Sequence, residues 1–163
     1  MAGPSLAFQL TSVAYLALLA TAVAYDVWTF RIPNAVVLGI AALFVPAVLT
    51  APQGLPWLAH IAAGLIVFAL AAGLFFLGVM GGGDAKLLGA AALWVGLDRL
   101  LALVLIVAVL GGLLAVAVVM ARRFTGYIAH PAMPASLRAG EPLPYGVAIA
   151  AAAALLHLRG WPG

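Results

Sequence analysis

Long apolar stretches separated by short polar breaks dominate the chain, at approximately 6–25, 35–49, 57–80, 85–97, 100–121 and 145–158. A bilayer core about 30 Å thick needs about 20 helical residues to cross. The first, third and fifth stretches meet that length. The second, fourth and sixth, at roughly 13 to 15 residues, read as short spans in a locally thin bilayer or as a re-entrant segment. Ala, Leu and Gly prevail and no alternating pattern appears, so strands of a membrane barrel are not expected. The pattern predicts an all-α membrane protein of about six transmembrane helices, forming one polytopic domain over residues 1–163.

Composition agrees. Of 163 residues, 67% are hydrophobic and 7% charged, against about 25% charged in soluble domains. Mean hydropathy is +1.27. The apolar stretch near the N-terminus has no basic segment before it and is a full span long, so it reads as a transmembrane helix and not a cleaved signal peptide. The net charge of +3 is not clustered and points to cytoplasmic loops, not to nucleic acid. With six spans, one side receives Arg31, Lys86, Arg122, Arg123 and Arg138, and the other Arg99 and Arg159. A re-entrant fourth segment reduces this five-to-two bias to four against three. Basic residues concentrate in cytoplasmic loops, so the count favours six spans with both termini outside. Asp26, Asp84 and the 122–143 loop then face the cytoplasm.

Few residues are equipped for chemistry. Cysteine is absent, which excludes disulfides, thiolate metal sites and Cys nucleophiles. His60 and His157 fall on the outer side and His130 on the inner, so the histidines do not form one metal site. Trp28, Trp57, Trp94, Tyr145 and Trp161 fall near the ends of spans, where interfacial rings are common. Gly111 and Gly112 read as helix-packing positions. Asp98 beside Arg99 reads as a boundary pair, and Glu141 lies in a Pro-rich loop. Asp26 and Asp84 differ, because each stands where an apolar stretch meets the interface, and an ionisable group there is costly. Taken singly, Asp84 reads as the N-cap of the fourth helix and Asp26 as a helix-end residue paired with Arg31. Taken together, they are two carboxylates on one face of the membrane. Carboxylates brought close do not both ionise easily, so one keeps its proton. That supplies a base to activate water and an acid for the leaving amine, the minimum equipment of an aspartic protease.

The surrounding motifs resemble those of the prepilin peptidases, the type IV leader peptidases. Asp26-Val27-Trp28-Thr29-Phe30-Arg31-Ile32-Pro33-Asn34 is similar to their Asp…Arg-Ile-Pro-Asn signature, and Gly81-Gly82-Gly83-Asp84-Ala85-Lys86 to their Gly-x-Gly-Asp-x-Lys signature. Pro144-Tyr145-Gly146 resembles the opening of their last helix. The resemblance implies catalytic Asp26 and Asp84, with Arg31, Pro33, Asn34, Gly81, Gly83, Lys86, Pro144, Tyr145 and Gly146 in support. It implies a substrate with a basic leader followed by a hydrophobic helix, cut at the cytoplasmic face of a bacterial or archaeal cytoplasmic membrane. No metal or cofactor is implied. The bifunctional members add a Cys-rich insertion linked to N-methylation; this chain lacks it and resembles the short form serving Flp-type pili, without methyltransferase activity. In this reading Asn34 caps the second helix, the Gly triplet gives the chain freedom to bring Asp84 to its partner, and Lys86 anchors to lipid phosphate. Two rivals come from other classes: a proton-coupled transporter using both Asp residues, and a non-enzymatic assembly scaffold. A transporter is disfavoured by span centres that are almost purely apolar and by the absence of an internal repeat.

Overall fold

The computed structural model describes residues 5–51, 54–125 and 142–160. His130, Arg138, Glu141 and Trp161 lie outside the described residues. Among the described residues six helices follow one another: α1 (Leu6–Thr29), α2 (Asn34–Thr50), α3 (Trp57–Phe76), α4 (Gly82–Val95), α5 (Leu100–Thr125) and α6 (Tyr145–Gly160). Helices α1, α3 and α5 are long and apolar enough to cross a membrane, and α2 and α6 are shorter apolar helices. At 1.5 Å per residue, the 14 residues of α4 rise only about 21 Å.

The ends of the helices have local causes. Ser5 caps α1, its hydroxyl accepting from the Phe8 N–H at 3.2 Å. At the other end Phe30 takes a left-handed conformation (φ 53°) and returns its N–H to the Asp26 carbonyl at 3.0 Å. Pro33 then restricts the chain and itself stands at the N-cap of α2. Asn34, the expected cap, is instead the first helical residue. Helix α3 stops at Phe76, short of the expected 80, because Gly78 turns the chain with a φ of 73°.

Small residues set the packing. Without a hydrophobic drive between helices in lipid, close contact depends on positions that let backbones approach. Helix α6, with Gly146, Ala148, Ala150, Ala152 and Ala153 buried, packs against α1, α4 and α5. Helices α3 and α4 pack along Gly64 and Gly89; a Cβ on Gly89 would stand 2.8 Å from the Phe68 Cβ. Gly111 lies under the Tyr145 ring, joining α5 to the start of α6, whereas Gly112 faces open space. The core is polar at one end. Tyr15 stacks on Trp94 with ring centroids 3.9 Å apart, and the Trp94 indole N–H donates to the Ile40 carbonyl at 2.8 Å. Trp94 is therefore a core residue tying α1, α2 and α4 together, not the interfacial ring expected from its place near a span end. Trp28 and Trp57 are exposed.

Candidate active site

Asp26 sits in the last turn of α1 and Asp84 in the first turn of α4. Since α1 and α4 both pack against α6, these two ends meet at the α6 N-terminus. The two carboxylates line one cavity of about 510 Å³, with Phe30, Met80, Gly81 and Tyr145, and lie close enough to act on each other electrostatically. Asp26 is 4% exposed, and Asp84 is half-buried.

The α6 N-terminus completes the site. The Gly146 N–H is directed at both carboxylates and the Val147 N–H at Asp26. The first N–H groups of a helix have no partners inside it and carry its positive dipole end, so they suit negative charge. The Asp26 Oδ2 is buried and makes no hydrogen bond of ordinary geometry. A buried oxygen with no donor is costly to leave so, and here it belongs to a side chain lining the cavity.

Glycine makes room for both acids. A Cβ on Gly146 would stand 2.8 Å from the Asp26 Oδ2, and one on Gly81 would stand 2.9 Å from the Asp84 Oδ2. The expectation that the triplet supplies backbone freedom is corrected. Gly81 is extended (φ −68°, ψ 142°), and neither Gly82 nor Gly83 has a positive φ. What matters at Gly81 is the missing side chain. A Cβ on Gly83 would meet Ile32 at an ordinary 3.4 Å.

The supporting residues divide. Pro144 is fully buried and precedes α6, and Tyr145 borders the cavity. Ile32, within the first motif, is buried and packs against Gly146 and Gly83. Arg31 is exposed beside buried Asp26, so the helix-end pair does not describe Asp26. Nor is Asp84 an N-cap, since Gly81 takes that place and Asp84 lies in the helix. The Lys86 Nζ donates to the Asn34 Oδ1 at 3.0 Å, linking α4 to α2. Phe30 was not anticipated. Its left-handed backbone aims the chain past the cavity, and a left-handed phenylalanine has no sequence signature. Among the described residues, no group of three His, Asp or Glu side chains could hold a metal ion.

A family model described as the type IV leader peptidase family matches residues 13–116, more than half of the chain. The chain belongs to the type IV leader peptidase family. The matched stretch takes in both Asp26 and Asp84 and stops before α6. No curated protein and no solved structure matches. Membership makes this a membrane protein of a leader-peptidase-type protease family, and the resemblance read from the motifs is borne out at that level.

Proposed function

We propose that this chain is an aspartic endopeptidase that removes the basic leader from Flp-like type IV prepilins at the cytoplasmic face of the membrane. The observation that carries the reading is the meeting of Asp26 and Asp84 at one cavity beneath the α6 N-terminus. With one proton between them, the ionised carboxylate takes a proton from water as it attacks the scissile carbonyl. The protonated partner then serves the departing amine. The reaction needs water and no metal or cofactor. The α6 N–H groups are directed at the two acids, and the glycines at 81 and 146 leave room for their carboxylates.

The substrate's hydrophobic helix lies in the bilayer beside the enzyme, so its leader and scissile bond reach the interface where the cavity stands. Six spans with both termini outside place that cavity on the cytoplasmic side, in keeping with the five-to-two distribution of basic residues. Methyl transfer to the mature pilin is not part of the activity.

Co-expression with a Flp-type prepilin tests the reading, with leader removal followed as a gel shift. The wild-type chain converts the precursor. The Asp26→Asn and Asp84→Asn chains, present in the membrane at equal amounts, leave it at full length. Conversion by either Asn variant at the wild-type rate removes the dyad from the mechanism.

A further inference from the structure

On the side of α4 away from the dyad, helices α2, α3 and α4 enclose an open groove of about 480 Å³. Leu38, Ala41, Leu65, Phe68 and Leu93 line it. Leu38 and Leu65 are more than 60% exposed, so the groove opens toward lipid. Its floor is shallow because Gly64 and Gly89 let α3 and α4 meet backbone to backbone. At the α2 N-terminal end stand Asn34 and Lys86, which also line it.

We infer that this groove holds one anionic phospholipid, its acyl chain along α2–α4 and its phosphate at Lys86 and Asn34. The chemistry is complementary at both ends. The groove wall is apolar along its length. Its polar mouth offers an ammonium with three N–H donors, of which the Asn34 Oδ1 takes one at 3.0 Å. The Asn34 amide N–H groups are donors at the same place. The N-terminal turn of α2, which has no side-chain cap, adds its positive dipole end. An anionic lipid's phosphate, with no headgroup cation beside it, carries the matching net negative charge at the depth where an interfacial lysine places its head.

Other occupants fit less well. Residues two apart on a helix point about 200° apart, so a helix seated beside Lys86 would lie away from Asp84. The inference rests on the chain being a membrane protein and does not depend on the cleavage chemistry.

Native mass spectrometry of the full chain, stripped of lipid in detergent and titrated with phosphatidylglycerol or phosphatidylcholine of identical acyl chains, tests it. The wild-type chain should bind one phosphatidylglycerol about fivefold more tightly than phosphatidylcholine, the contribution of one lysine at an anionic surface. Lys86→Gln should bind the two equally, and Ala41→Phe, which fills the groove, should weaken both. Size-exclusion elution confirms that each variant is folded. Equal wild-type affinity for the two lipids overturns the inference, as does a preference that survives Lys86→Gln. A mass showing two copies with no lipid overturns it too, in favour of a second chain.

Discussion

Gly146 has no side chain where the Asp26 carboxylate needs the space. Built onto the backbone, a Cβ there would stand 2.8 Å from the Asp26 Oδ2 and 2.9 Å from the Ile32 Cδ1, closer than side-chain carbons come. Gly146→Ala must therefore push Asp26 off the α6 N-terminus or move α6 itself. A displacement of about 1 Å at a reacting group costs on the order of 10²-fold in rate. We expect that loss in prepilin cleavage by the purified Gly146→Ala protein. Gly83→Ala, whose Cβ meets Ile32 at 3.4 Å, should stay within a few-fold of wild type. Equal activity in the two variants would show that the approach of α6 to Asp26 does not matter. At this scale the sequence is informative about identity and poor about role. The scarcity of acids singles out Asp26 and Asp84, and the family motifs single out Gly81 and Gly146. That a Cβ at either glycine would crowd a carboxylate is visible only once the helix ends converge. The Lys86–Asn34 bond is likewise invisible in one dimension, because 52 residues separate its partners.

Among the helices, α4 carries the greatest constraint. It is short, it bears Asp84, and it packs against α2, α3, α5 and α6. Its contact with α3 depends on Gly89, where a Cβ would come 2.8 Å from the Phe68 Cβ and 3.3 Å from the Phe68 Cα. Overpacking of this kind costs about 1–3 kcal/mol, and a rigid backbone neighbour leaves little room to relax. Gly89→Ala should lower the thermal unfolding midpoint in detergent. An unchanged midpoint would mean that α3 and α4 slide apart freely. The existence of all six helices is legible in the hydropathy pattern, and the starts of α1, α3, α5 and α6 agree with it to the residue. The end of α3 is not, since 77–80 remain apolar past the turn at Gly78 and hydropathy does not register a positive φ. Trp94 is misplaced for a related reason: nearness to a span end says nothing about which way a ring faces.

Over the whole molecule, the two polar ends have different characters. One end gathers Asp26, Asp84 and the α6 N-terminus around a cavity. The other gathers buried His157 beside the Tyr15–Trp94 stack and buried His60 against Phe44. The proposed orientation places the first end in the cytoplasm, and the absence of cysteine makes it directly testable. A single Cys at exposed Arg31 should react with a membrane-impermeant maleimide only after the cytoplasmic face is opened. A single Cys at exposed Asp98 should react in intact cells. The reverse pattern would place the cavity outside, away from any unprocessed precursor.

Two coupled carboxylates titrate as a pair, so their apparent constants belong to the site and not to either residue. In the proposed mechanism cleavage needs one shared proton, which excess acid supplements with a second and excess base removes. The decisive measurement is therefore prepilin cleavage against pH by the wild-type and Asp84→Asn proteins in lipid vesicles. The dyad predicts a bell-shaped wild-type profile and, for Asp84→Asn, a loss on the order of 10²- to 10⁴-fold at every pH. An Asp84→Asn protein that is folded, inserted and cleaves at the wild-type rate would contradict it.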